Sequence, residues 1–195
     1  MRLFVGVLPP RRACDELARA LRPLRGAWPE LRWVDPANWH LTLAFLGEVP
    51  PEVLPEVLPE LETRLARAAS RHASMTLALT GAGAFPSVRR ARILWSGLSG
   101  AHLPLTRLAD SVTAGARRAG AVRVDDRKRF RAHLTMARTR AETDVSDLVE
   151  ALGPFAGTPW EVGTVHLVRS HLGSPVRYET LAEYALASPA PGERS

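Results

Sequence analysis

Hydrophobic residues along this chain recur in two rhythms, and changes between them cluster at glycines and prolines. Leu3–Leu8 is an apolar run that stops at Pro9-Pro10 and predicts a strand, whereas Arg11 to Leu24 carries apolar residues at three- and four-residue spacing and predicts a helix. His40–Leu46 alternates like a strand and ends at Gly47. The Pro51–Pro59 stretch repeats every four residues, but interior prolines remove backbone donors, so its helix is expected to start near Pro59 and run to about Ser70. Met75–Thr80 and Ile93–Gly97 predict strands around a turn at Gly81-Ala82-Gly83-Ala84-Phe85-Pro86, followed by a helix from about Leu103 to Arg118. Phe130–Ala137 then predicts a strand, Asp147–Leu152 a short helix, and Val162–Arg169 and Tyr178–Leu186 two closing strands. No linker separates independent units, so residues 1–187 are expected to form one α+β domain, with a mobile tail over 188–195 that has nothing to bury.

Within this pattern one phrase occurs twice. His40-Leu41-Thr42-Leu43-Ala44 and His133-Leu134-Thr135-Met136-Ala137 share four of five residues, and the step from position 40 to position 133 is close to half of the 195 residues. A repeat at half-chain spacing implies two related lobes, each contributing one strand. Strand side chains alternate faces, so His40 and Thr42 point the same way, about 7 Å apart, while Leu41, Leu43 and Phe45 are expected on the packing face. In the second copy Leu134 and Met136 point inward, and Arg131, His133 and Thr135 outward. Strict alternation puts Arg138 on the opposite side from His133, within reach of a phosphate only if the strand ends or twists there.

Two imidazoles and two hydroxyls facing one cleft suit hydrolysis of a phosphodiester near neutral pH. One neutral histidine can take a proton from water while a second, protonated one gives a proton to the leaving oxygen. The threonine hydroxyls can donate to non-bridging phosphate oxygens. A zinc site needs three or four close nitrogen, sulfur or carboxylate ligands, and neither motif has a neighbouring cysteine or acid at ligand spacing, so no metal and no cofactor are expected. The chemistry does not say which histidine is acid and which is base. His72, His102, His166 and His171 do not repeat with threonine; His171 follows a strand that could lie beside the site.

Charge agrees with an anionic substrate. The net charge is +6 and the isoelectric point near 10.8, with Lys128 the only lysine, although arginine-rich composition alone does not demand nucleic acid. Of the basic clusters, Arg127-Lys128-Arg129-Phe130-Arg131 leads directly into His133 and is the better candidate for RNA contact than Arg89-Arg90-Ala91-Arg92. Trp33 and Trp39 could stack a base but are expected to pack. A single cysteine, Cys14, excludes a disulfide framework, and no apolar run approaches the roughly 20 residues needed to cross a bilayer. A monomer in the cytoplasm, without membrane association, is the expectation.

The same residues resemble a known family, the two-histidine phosphoesterases, and within it the bacterial and archaeal RNA 2′,3′-cyclic phosphodiesterases, historically called 2′-5′ RNA ligases. The likeness spans Arg2-Leu3-Phe4-Val5, Trp39 to Val49 around the first motif, and Gly81 to Pro86 followed by Ile93-Leu94-Trp95. It continues through Arg129 to Arg138 around the second motif and Val165 to Ser170 near the end. Ala132, where proline is common in the family, and the proline-rich Pro51–Pro59 segment depart from it. The resemblance implies a bilobal fold, two pseudo-symmetric lobes each with an antiparallel sheet and flanking helices around a central cleft. It also implies cleavage of 2′,3′-cyclic phosphate ends of RNA, tRNA fragments among them, with a weak reaction that joins ends through a 2′-5′ bond. It makes His40 the proton donor and His133 the proton acceptor, beside Thr42 and Thr135 as the phosphate holders that hydroxyl chemistry suggests and Arg131 and Arg138 as the candidate RNA contacts that their positions suggest. Two rival readings stay open: a phosphodiesterase for another cyclic nucleotide or 2′-5′ oligonucleotide, and a non-catalytic module that binds RNA ends.

Overall fold

The computed structural model describes residues 2–50, 52, 54–121, 130–171, 173 and 176–188. The basic residues 127–129 and the tail from 189 onward lie outside that set. The elements run in the order β1 (Arg2–Val7), α1 (Arg11–Arg25), β2 (Arg32–Trp33), β3 (Leu41–Glu48), α2 (Leu54–Ala69), β4 (Met75–Phe85) and β5 (Ala91–Gly100). They continue with α3 (His102–Arg118), β6 (Leu134–Thr143), α4 (Ser146–Leu152), β7 (Trp160–Val162), β8 (Thr164–His171) and β9 (Arg177–Ala185).

The strands are arranged β7-β4-β5-β6-β3-β1-β8-β9, with β2 pairing onto β6. All pairings between these strands are antiparallel. Four strands lie on each side of the contact between β3 and β6, which meet at a single residue pair, Leu41 opposite Leu134. The pseudo-symmetry anticipated from the repeat is therefore present, but the lobes are not the two halves of the chain. One contains β1, β3, β8 and β9, from both ends of the sequence, and the other β4 to β7. Each lobe has two helices on the core face: α3 packs on β3 and α2 on β9, while α1 and α4 pack on β4.

Helix periodicity accounts for that layer. Ala13, Cys14, Leu17 and Leu21 form the buried stripe of α1, and Leu105, Leu108, Ala109, Val112 and Ala116 that of α3. In contrast to the expected start near Pro59, α2 begins at Leu54 and runs through Pro59. Pro55 and Pro59 fall one turn apart on its exposed side, where the carbonyl that loses its partner can be hydrated. The Gly81–Phe85 segment is also not a turn but the second part of β4, after a register shift between Thr80 and Gly83. Its glycine at 83 has a packing role, because a Cβ there would overlap the Trp95 ring.

β6 begins at Leu134, not Phe130, and β3 at Leu41, one residue after each histidine. The cause is the same in both places. The carbonyl two residues before each histidine accepts a hydrogen bond from the imidazole instead of a neighbouring strand.

Candidate active site

Each histidine motif enters its strand with identical local chemistry. His40 Nδ1 donates to the Asn38 carbonyl at 2.8 Å, and His133 Nδ1 donates to the Arg131 carbonyl at 2.6 Å. A carbonyl only accepts, so Nδ1 must carry the proton in the neutral ring, and Nε2 is left as the atom that can take or give one. The described residues engage neither the Thr42 nor the Thr135 hydroxyl in a hydrogen bond, and both side chains are half-buried. The Leu41–Leu134 pair holds the two motifs side by side, and the imidazoles are close enough for His133 to act electrostatically on His40.

Beyond each motif a β-bulge resets the strand. In β3, Val5 pairs with Ala44 and Gly6 with Thr42, which leaves Leu43 as an extra residue. In β6, Leu94 pairs with Ala137 and Trp95 with Thr135, which leaves Met136 extra at the equivalent position. Two consecutive residues are consequently buried in each strand, Leu43-Ala44 and Met136-Ala137, and parity reverses beyond them. Phe45 therefore does not pack in the core: it is 56% exposed and its ring lies 6.3 Å from that of Phe4, which stacks on His40. Arg138 is likewise turned toward the histidines, and its charge acts on His40, His133 and Tyr178. A second irregularity ends β3, where Gly47 takes φ +73°, a left-handed conformation open to glycine.

Aromatic side chains wall both imidazoles. Phe4 stacks on His40 at 4.4 Å between ring centroids, and Tyr178 meets it edge-on at 5.1 Å. Phe85 meets His133 edge-on at 5.0 Å, with Trp95 at 6.5 Å, and the Arg131 guanidinium lies 4.6 Å over the Phe85 ring. Burial is the main cause that holds both histidines below their ordinary pKa. Arg138 adds to it at both sites, His133 adds to it at His40, and Arg131 adds to it at His133, while the backbone hydrogen bonds oppose it.

The remaining sequence candidates fall elsewhere. Trp39 is 3% exposed and belongs to the core, and Trp33 is covered by the Arg25 guanidinium 5.4 Å from its ring. His171 pairs with Glu179 at 2.7 Å, His166 lies 3.6 Å from Glu183, and His72 hydrogen-bonds Ser111 at 2.8 Å. Burial pushes the Cys14 thiol up to about 11, which leaves it protonated and unreactive at neutral pH. A cavity of about 380 Å³ lies between α2 and α3 and is lined by Arg64, Arg67, Arg71 and Arg118, in the helical layer rather than at the imidazoles. Among the described residues no three His, Cys, Asp or Glu side chains converge as a metal site would require, and no helix is long and apolar enough to cross a membrane.

Sequence reasoning missed Phe4, Phe85, Tyr178 and the cleft role of Phe45. For Phe45 a signal existed: its counterpart in the repeat is Arg138, and a position that holds an arginine in one copy is a poor core position in the other.

Comparison with known proteins gives the class of this fold: the chain belongs to the LigT-like phosphoesterase family. Residues 7–95 match the family model described as LigT like Phosphoesterase. The chain is 34% identical to an RNA 2′,3′-cyclic phosphodiesterase of Archaeoglobus fulgidus over 88% of this chain and 92% of that protein. It is 36% identical to one of Thermus thermophilus over 100% of this chain and 98% of the relative. Among solved structures, E. coli LigT superposes with a TM-score of 0.71 at 27% identity, covering 96% of this chain and 98% of that one. The E. coli protein has also been crystallised with 3′-AMP.

Proposed function

We propose that this protein hydrolyses the 2′,3′-cyclic phosphate ends of RNA to a 2′-phosphate and a free 3′-hydroxyl, using its own side chains as acid and base. The observation that carries the reading is the matched pair of imidazoles, each tethered through Nδ1 and each with Nε2 free of hydrogen bonds among the described residues. The relatives' activity and the 3′-AMP bound by E. coli LigT point to the same substrate class.

In this reading the cyclic phosphate sits between the motifs, with the Thr42 and Thr135 hydroxyls donating to its non-bridging oxygens. His133 Nε2 takes a proton from water as the water oxygen attacks phosphorus. The bond from phosphorus to the 3′ oxygen breaks on the far side, and protonated His40 Nε2 gives its proton to that oxygen. The 2′ ester survives, so the phosphate ends on the 2′ position. With the 5′-hydroxyl of a second RNA in the place of water, the same groups form a 2′-5′ bond. Arg138 and Arg131 supply positive charge to the bound RNA, and no metal or cofactor takes part. The protein acts as a monomer in the cytoplasm.

Incubation of an oligonucleotide ending in a 2′,3′-cyclic phosphate with the protein tests this, with and without EDTA. Equal turnover in both is expected. Loss of turnover in EDTA, restored by zinc or manganese, would contradict the proposed acid–base mechanism.

A further inference from the structure

Away from the imidazoles, α2 and α3 build a second basic recess that hydrolysis in the cleft leaves unused. The two helices run antiparallel, since Arg64 of α2 lies against Gly115 of α3 while His72, just past the end of α2, hydrogen-bonds Ser111 at 2.8 Å. They approach closely at Gly115, where a Cβ would come within 3.3 Å of the Arg64 carbonyl oxygen. Ala68, Ala114 and Gly115 are small, so the seam has a low floor, and the long side chains around it enclose a cavity of about 380 Å³. Both helices lie on the core face of the sheet, α2 against β9 and α3 against β3, so the sheet separates this cavity from the cleft.

Four guanidiniums, those of Arg64, Arg67, Arg71 and Arg118, line the cavity against one carboxylate, Asp110. Arg64 and Arg67, three residues apart, share one face of α2, and Arg71 continues that row just past the helix end, where like charges repel. Glu60 holds Arg64 at 2.7 Å, but the side chains of Arg67, Arg71 and Arg118 make no hydrogen bond or ion pair among the described residues. Solvation and the carbonyl ends of α2 and α3 account for Arg67 and Arg118 singly. They do not account for charges from two helices converging on one recess floored by small residues.

The dimensions narrow the ligand. Positions 64 to 71 span about 10 Å at a helical rise of about 1.5 Å per residue, too far for one phosphate to meet the whole row but within reach of several in line. The volume falls in the range of small-molecule sites, roughly 300–1,000 Å³, and a recess between two helices admits a compact ligand more readily than the broad backbone of a folded RNA.

We infer that the recess between α2 and α3 binds a small polyphosphate, the linear di- or triphosphate group of a nucleotide or of an inorganic chain, with Arg67, Arg71 and Arg118 as its donors. Planar guanidiniums pair with phosphate oxygens through parallel N–H···O bonds, and the anion offsets the repulsion that the bare recess carries. Asp110 repels phosphate but accepts from a hydroxyl, which a ribose supplies and an inorganic chain does not. The site stands apart from the hydrolase reading and does not require it.

The test is calorimetric titration with tripolyphosphate, and separately with ATP, at fixed salt. Wild type, an Arg67→Gln, Arg71→Gln double variant and Arg138→Gln are compared. Tripolyphosphate affinity should fall about tenfold or more in the double variant, as for lost charge-assisted contacts, and hold in Arg138→Gln. ATP bound at least as tightly as tripolyphosphate identifies a nucleotide as the source, and weaker ATP binding an inorganic chain. No tripolyphosphate binding to wild type, or binding lost in Arg138→Gln and kept in the double variant, would overturn the site. So would an RNA oligonucleotide ending in a 3′-hydroxyl that loses affinity in the double variant while tripolyphosphate does not bind, because the arginines would then be an RNA track. The melting temperature of the unliganded double variant should hold or rise, because a repulsion is removed. Independently of any variant, tripolyphosphate should shield Arg67, Arg71 and Arg118 of the wild type from phenylglyoxal, mapped by mass spectrometry, and unshielded arginines there would contradict the proposal.

Discussion

The His40 side and the His133 side of the cleft share a motif, an Nδ1 tether and a bulge, yet they end on opposite chemistry. After the bulge the first presents Phe45 and the second presents Arg138. His40 lies against the face of Phe4 and the edge of Tyr178, whereas His133 has the edge of Phe85 and the charges of both Arg131 and Arg138. Identical backbones thus deliver the same acid–base atom into unequal surroundings. Two nearby guanidiniums disfavour a protonated His133, which suits a base that must start neutral. His40 faces one of them together with His133, and burial is the largest cause that holds it low.

The largest expected effect tests whether both sides are needed. His40→Ala and His133→Ala should each lower kcat on a cyclic-phosphate oligonucleotide by about 10² or more, because each removes a proton-transfer group. A variant that keeps near wild-type turnover would mean that one side suffices. Next, Arg138→Gln should reduce kcat/KM by about tenfold. It should also move the acid limb of the kcat/KM profile to higher pH, because the charge that helps to hold both imidazoles low is gone. Phe45→Ala should leave that limb in place. In the wild type both limbs should lie lower than histidines of ordinary pKa would place them.

Smaller losses, about fivefold each, are expected for Thr42→Val and Thr135→Val, since each removes one donor among several. A large inequality between them would show that the phosphate is held mainly from one lobe. The smallest effect concerns stability. His40, His72, His133 and His166 are all held low by burial, so the unfolded chain binds more protons than the folded one as pH falls through about 6.5. The melting temperature should therefore drop between pH 7 and pH 5, less steeply in a His40→Gln, His133→Gln double variant. Glu16, Glu142 and Asp144, held low by hydrogen bonds, contribute a separate loss below about pH 4.5.

The motifs were legible because period-two alternation fixes which side chains share a face over three residues, and His-Leu-Thr needs no more than that. The same rule misplaced Phe45 and Arg138, because one extra residue in a strand reverses every position beyond it, and the bulge depends on how β1 and β5 pair rather than on local composition. Phe4 and Tyr178 reach the cleft only through strand order, which brings β1 and β9 beside the motifs from distant points in the chain. Periodicity along the sequence carries no record of those neighbours. The prolines of α2 misled for another reason: a helix tolerates them when the orphaned carbonyls face water, and that depends on which side the helix exposes.

The most direct test of the central claim is the identity of the product end. A ³¹P NMR spectrum, or digestion by an enzyme specific for one phosphate isomer, should be recorded after wild-type protein has opened an oligonucleotide 2′,3′-cyclic phosphate in EDTA. The account predicts a 2′-phosphate with a free 3′-hydroxyl, formed at the same rate with or without the chelator. A 3′-phosphate product would reverse the roles assigned to His40 and His133, and an intact cyclic phosphate would contradict the account as a whole.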